Sequence, residues 1–173
     1  MSRVILICGK IACGKSVYAA RLKREMNAVV FSTDECTYDL IRNEQGEFYN
    51  EFARRVNGYL RKKAAETALA GANVILDWGF WTRAERKEMS EYFASRGVPF
   101  EWHYVEADAD TWAANIAGRN RRISEGRGGS DFYVDEGLLD KLDRLFEAPL
   151  PEETDVWVRT DRTRPLPEET GNE

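Results

Sequence analysis

Apolar residues in this chain fall into short unbroken runs, and these alternate with longer stretches where apolar positions recur every three or four residues. Unbroken runs suit strands buried on both faces, whereas the wider spacing suits helices with one apolar stripe. Val4 to Cys8 reads as a first strand, and Lys15 to Met26 as the helix behind it. A second strand covers Ala28 to Ser32. From Phe48 to Ala70 the spacing of Phe52, Val56, Tyr59, Leu60 and Ala64 predicts a long helix, with Gly71 as its natural C-cap. Asn73 to Trp78 reads as a third strand with a single acid, Asp77, at its carboxyl end. Thr82-Arg83-Ala84-Glu85 is a capping box, and it opens a helix that ends near Gly97-Val98-Pro99. Phe100 to Glu106 supplies the fourth strand. Asp108 or Asp110 then caps a helix that runs through Trp112 and Ile116 to Arg122, before a glycine-rich break at Gly126 to Ser130. Asp135 to Glu147 forms a further helix with Leu138, Leu139, Leu142, Leu145 and Phe146 as its stripe, and Val156 to Arg159 is the last strand. Strands alternating with helices in this way predict an α/β fold, a parallel sheet with right-handed crossovers and ligands at the carboxyl ends of its strands.

Composition sharpens this picture. At 173 residues and 43% hydrophobic, the chain suits one domain with a full core, expected over 1–160. Residues 161–173 are polar, acidic and proline-containing, a composition that predicts a disordered tail. The first apolar run is too short to span a membrane and lacks a cleavage site, which points to the cytoplasm. Cys8, Cys13 and Cys36 are too few and too irregularly spaced for a disulfide framework or a zinc site, so they read as reduced thiols. A net charge of −5 argues against broad nonspecific binding to nucleic acid.

The chemistry centres on Gly9-Lys10-Ile11-Ala12-Cys13-Gly14-Lys15-Ser16, which fits G-x-x-x-x-G-K-[ST] between a strand and a helix. Its glycines let the backbone curl so that N–H groups and the helix N-terminus face phosphate oxygens. Lys15 would reach the terminal phosphates of ATP or GTP, and Ser16 would ligate Mg²⁺. In a parallel sheet Gly9, Asp34 and Asp77 all follow strand carboxyl ends, so three separate segments converge on one edge. Asp77 follows four core-like residues and suits the metal site better than a mere polar terminus. Asp34 can act as a general base toward an alcohol or as part of a helix cap in Ser32-Thr33-Asp34-Glu35, and spacing leaves these two readings level. Arg119 and Arg122 share a helix face beside the glycine-rich break and could close over ATP as a lid. Arg83 and Arg86 have the same spacing, but Glu85 and Glu88 beside them make surface ion pairs an equal explanation. Trp78, Phe80 and Trp81 either wall an acceptor pocket or pack under a helix, packing being preferred for Trp78. The basic run from Arg54 to Lys63 reads as a solvated face, and His103, in mid-strand, is given no catalytic role.

Together the loop at Gly9 to Ser16, Asp34, the stretch Leu76 to Arg83 with Glu85 and Arg86, Arg119 to Arg122, and Phe146 to Glu153 resemble the small AAA-type P-loop kinases, relatives of polynucleotide 5′-hydroxyl kinase and chloramphenicol phosphotransferase. The resemblance implies a three-layer P-loop NTPase fold, a central five-stranded parallel sheet in the order 2-3-1-4-5 and a helical lid. It also implies Mg·ATP as donor and Asp34 as the base. One departure bears on the acceptor. Polynucleotide kinases resemble one another in an arginine shortly after that aspartate, where this chain has Glu35, Cys36, Thr37, Tyr38 and Asp39, with Arg42 the nearest arginine. The expectation is an ATP-dependent kinase acting on a hydroxyl of a small molecule. A nucleic-acid 5′-hydroxyl kinase and a slow ATPase switch are the alternatives.

Overall fold

A computed structural model of the chain describes residues 1–41, 48–129, 131 and 133–160, apart from the side chain of Asn50. Arg42, Ser130 and the tail at 161–173 therefore lie outside the described residues. The elements follow as β1 (Val4–Cys8), α1 (Lys15–Met26), β2 (Val29–Ser32), α2 (Thr33–Ile41), α3 (Phe48–Leu69), β3 (Val74–Asp77), α4 (Arg83–Ala94), β4 (Phe100–Ala107), α5 (Ala109–Ser124), α6 (Glu136–Leu145), a 3₁₀ turn (Pro151–Glu153) and β5 (Val156–Thr160). The five strands form one sheet in the order β2-β3-β1-β4-β5, and every pairing is parallel.

β1 is the unbroken run Val-Ile-Leu-Ile-Cys because it lies at the centre of the sheet, with each residue 0–1% exposed. Alternate side chains serve two cores. Val4, Leu6 and Cys8 face α3 and α4, where Val56, Leu60, Ala64, Met89 and Phe93 are buried. Ile5 and Ile7 face Tyr18, Ala19 and Leu22 of α1. Helices thus cover both faces, which makes the three layers. Register then fixes the chemistry at one edge. Asp77 lies opposite both Ile7 and Ser32, so β1, β2 and β3 end level with one another.

Two elements depart from the sequence pattern. α2 starts directly after β2 and is capped by Ser32, whose Oγ accepts from the Glu35 N–H at 3.3 Å. Thr37 is its one buried residue, so the helix carries almost no apolar periodicity to read. α6 has the expected stripe, yet none of its residues is buried, and Leu145 is 49% exposed. The basic run on α3 is solvated, as the pattern predicts. Arg54 and Arg55 pair with Glu51, Arg61 with Glu88, and Lys63 with Glu66. Among the described residues no helix is long and apolar enough to cross a membrane.

His103 is held under the sheet by Tyr18, whose hydroxyl lies 2.8 Å from Nδ1, and by Glu101 at 3.4 Å from Nε2. Burial lowers its pKa below 6.5 despite the opposing pull of Glu101 and Asp155, and Arg3 adds to the lowering. The unfolded chain therefore takes up a proton below pH 6.5 that the folded chain refuses, so stability falls as the pH drops through that value. The slope contributed is at most about 1.4 kcal/mol per pH unit. In urea unfolding at pH 7.5 and 5.5, His103→Gln, which still offers Tyr18 an acceptor, should lose less stability on acidification than the parent. A parallel loss in both proteins would contradict a His103 contribution.

Candidate active site

The loop after β1 is shaped by two glycines. A Cβ on Gly9 would sit 2.3 Å from the Val105 carbonyl oxygen and 2.7 Å from Cys13 Sγ, so no other residue fits where the chain leaves the sheet. Gly14, with a φ of 101°, is the left-handed residue that starts α1. That helix has no side-chain cap and no acid in its first turn, which leaves its N-terminal N–H groups and dipole available to an anion. Lys15 Nζ donates to the carbonyls of Gly9 at 3.0 Å and Lys10 at 2.6 Å. Lys10 turns outward, where its ammonium pairs with Asp143 of α6 and stands 5.3 Å over the Trp112 ring. Its side chain is thereby engaged away from the loop interior.

Around the loop the structure gathers the acids. Asp77 ends β3; burial raises its pKa, opposed by Lys15 and by a hydrogen bond from the Ser16 hydroxyl, while Asp34 and Glu35 push it further up. Asp34 is the second residue of α2, and with Ser32 as the cap its carboxylate is not used for capping. The Asp34 side chain reaches solvent, but the protein crowded around it still raises its pKa, with Lys15 and Arg119 opposing and Asp131 reinforcing. Lys15 therefore acts on both acids. Arg119 is the cation from the far side. Its side chain is 13% exposed, lies 3.1 Å from Asp131, and interacts with Asp34. Arg122 stands farther out, 51% exposed and 3.7 Å from the same Asp131. The two arginines share a partner, but only Arg119 is enclosed.

The AAA domain model matches residues 4–149, most of the chain. The chain belongs to the AAA domain family. Among solved structures, its fold is similar to that of a candidate kinase from Chloroflexus aurantiacus (18% identity, TM-score 0.70, covering 92% of this chain and 88% of that one). It is also similar to a gluconokinase from Sinorhizobium meliloti (14% identity, TM-score 0.61, covering 95% and 85%). A chain of the Pnkp1/Rnl/Hen1 RNA repair complex is similar at 14% identity and a TM-score of 0.65, covering 83% of this chain and 43% of that one. At such identities the likeness is one of fold, that of the P-loop kinases. No curated protein sequence matches the chain.

In this AAA domain the stretch after β3 corrects one expectation. Arg86 makes no surface ion pair with Glu85 or Glu88. Its side chain is 2% exposed and donates to the carbonyls of Phe80 (3.2 Å) and Glu147 (2.9 Å), and it lies 3.4 Å from the Glu153 carboxylate. Glu85 instead closes the capping box with Thr82, and Glu88 pairs with Arg61. The signal was present in the periodicity, because Arg86 shares the buried stripe of α4 with Met89 and Phe93. Phe80 takes a left-handed φ of 46° there. Trp78 stacks on Phe80 with ring centroids 5.4 Å apart, Phe80 meets Trp102 edge-on at 4.9 Å, and Trp81 meets Phe146 at 6.0 Å. Packing is thus the role of Trp78. The Arg86 fork also ties the segment after β3 to residues 147–153, further secured by Arg83 N–H donating to Glu147 at 2.6 Å. Removing it leaves the carbonyls of Phe80 and Glu147 without their donor and takes one cation from Glu153, whose carboxylate still accepts from the Leu150 N–H at 2.8 Å. Arg86→Leu should cost about 3 kcal/mol in urea unfolding, and Arg86→Lys, with charge but no fork, should cost less. A loss below about 1 kcal/mol for Arg86→Leu would show that the fork is dispensable.

Proposed function

We propose that this chain is an ATP-dependent kinase that transfers the γ-phosphate to a hydroxyl of a small molecule. The observation that carries the reading is the convergence of Lys15, Ser16, Asp77, Asp34 and Arg119 at the carboxyl edge of the sheet. Lys15 and the N-terminus of α1 would bind the donor phosphates. Ser16 and Asp77 are two oxygen donors already in contact, which fits a magnesium ion that keeps most of its waters and takes few protein ligands. Bound there, the ion supplies charge neutralisation at the β- and γ-phosphates. No larger group of His, Cys, Asp or Glu arranged for a metal occurs among the described residues.

On the acceptor side Asp34 would take the proton as the hydroxyl oxygen bonds to the γ-phosphorus and the bond to the bridging oxygen breaks, releasing ADP. Its raised pKa makes it a stronger base than an ordinary surface carboxylate. Arg119, with Arg122 behind it, would stabilise the charge spread over the transferring group. The gluconokinase neighbour supports a small acceptor by analogy of fold. A second reading, a nucleic-acid 5′-hydroxyl kinase, draws on the RNA repair neighbour. The α3 surface favours the first, since Arg54, Arg55, Arg61 and Lys63 are each engaged by a glutamate.

Two experiments test the reading. Lys15→Ala should lose measurable ATP binding in calorimetry. Asp34→Asn should keep ATP affinity within a few fold yet slow acceptor phosphorylation by roughly 10²-fold or more. Normal turnover by folded Asp34→Asn protein would remove Asp34 as the base, and acceptor-independent ATP hydrolysis would favour a switch.

For the acceptor, labelled ATP would be offered with a panel of sugars, nucleosides and amino-alcohols, and with a 5′-hydroxyl oligonucleotide, across a salt series. Transfer to a small acceptor should vary little with salt. An oligonucleotide held through six or more phosphates would lose roughly 10³-fold in affinity from 50 to 200 mM salt. Efficient, salt-sensitive labelling of the oligonucleotide, weakened by neutralising Arg54, Arg55 and Arg61, would replace the small-molecule reading with the second one.

A further inference from the structure

A loop that offers its N–H groups to phosphate leaves its carbonyls needing donors of their own. From residue 9 to residue 13 every carbonyl finds one on a side chain. Lys15 Nζ serves Gly9 and Lys10. Trp112 Nε1 donates to the Ile11 carbonyl at 2.7 Å, and Asn115 Nδ2 to the Ala12 carbonyl at 2.9 Å. Thr160 Oγ1 lies 3.2 Å from the Cys13 carbonyl and 3.1 Å from that of Glu106, between which its one proton is shared. At Gly14 the carbonyl accepts the first helical bond of α1, from Tyr18 N–H at 3.0 Å. The loop is thus clasped from outside by α5 and β5.

Within the clasp Ala12 is the singular position. It has a φ of 58°, a left-handed conformation that a residue with a Cβ adopts at a cost, and it lies between the two glycines of the motif. The donor that meets its carbonyl is an amide with a fixed planar geometry, so the contact constrains the orientation of the peptide that follows Ala12. Trp112, Asn115 and Arg119 are spaced i, i+3 and i+7, which places them along one stripe of α5. The helix face that clasps the loop is therefore the face that carries Arg119 toward Asp34.

We propose that Asn115 is a positioning residue for the nucleotide. It holds Ala12 left-handed, which keeps the loop in the shape that accepts a nucleoside di- or triphosphate, and it seats α5 so that Arg119 stays in register with the loop. This inference rests on the reading of the loop as a nucleotide site. It adds that the strain at Ala12 is restrained by a specific side chain and that loop and lid helix are coupled through it.

The test is a double-mutant cycle read as affinity for ADP and for ATP with magnesium, by calorimetry on the full chain at a temperature where each variant is folded. Asn115→Ala should weaken both nucleotides by about tenfold, the scale of one lost hydrogen bond that held a binding conformation. Glycine takes the left-handed conformation without a Cβ penalty, so in the Ala12→Gly background the same substitution should cost about threefold or less. Asn115→Leu, which keeps the volume but not the donor, is the second variant and should behave like Asn115→Ala. Unchanged affinity in Asn115→Ala, even with a lowered melting temperature, would make the contact merely structural and overturn the proposal. Equal losses in the two backgrounds would overturn it as well. If the parent binds neither nucleotide, or Lys15→Ala binds as tightly as the parent, the nucleotide reading itself falls. A parent that binds, a Lys15→Ala variant that does not, and an unaffected Asn115→Ala would sink this inference alone.

Discussion

Everything at the active edge depends on one steric constraint, the absence of room for a side chain at Gly9. β1 is buried on both faces and flanked by β3 and β4, so the chain leaves the sheet in a crowded place, with the Val105 carbonyl and Cys13 Sγ against the position a Cβ would take. The backbone can turn tightly there, and the turn delivers Gly14 to the start of α1. Strand register does the rest. Because Asp77 pairs with Ile7 and with Ser32, Asp77 and the nearby Asp34 arrive at the same height as the loop, though loop and acids come from three separate stretches of sequence. A slip of one residue in either pairing would turn the β3 side chains to the opposite face of the sheet and separate Asp77 from Ser16.

Bringing those acids together has an electrostatic cost that the same edge offsets. Burial together with Asp34 and Glu35 pushes Asp77 toward the neutral form, the protein crowded around Asp34 together with Asp131 does the same there, and Lys15 is the cation that opposes this at both. Arg119 does so at Asp34 from the other wall, while desolvation weakens its own charge and Asp131 sustains it. The arrangement leaves one lysine as the cation that acts on both carboxylates. On the proposed reading a divalent ion bound with a phosphate would relieve the acids and leave Lys15 to the phosphate.

The strands and most helices were legible because burial writes itself as periodicity. α1 matches its predicted span of Lys15 to Met26, and the Thr82 capping box is formed by both of its hydrogen bonds. The glycine-rich motif and the two acids at strand ends located the edge. What escaped was structure that local pattern does not encode. α2 buries little besides Thr37, so no stripe announced it. Arg86 looked like a surface residue among glutamates, and its real partners are backbone carbonyls at Phe80 and Glu147, the latter 61 positions away. Asn115 and Trp112 meet the loop across 103 and 101 positions, a pairing that only the folded chain brings about.

The charges around Asp34 carry the argument about the acceptor one step further. A polyanion approaching this site would meet Asp34, Glu35 and Asp131 beside Arg119, whose charge Asp131 already engages. Along α3, Arg54 and Arg55 share Glu51, Arg61 pairs with Glu88 and Lys63 with Glu66, while Lys62 is exposed, and such pairing weakens the field this face presents beyond about a Debye length. On the proposed reading a neutral hydroxyl compound would meet neither difficulty, with Asp34 accepting its proton. Selection against polyanions, as proposed, would then need no dedicated barrier. On the proposed reading it would follow from Glu35 to Asp39 standing where the resemblance to polynucleotide kinases implies an arginine, and from the pairing of Arg54, Arg55, Arg61 and Lys63 with glutamates.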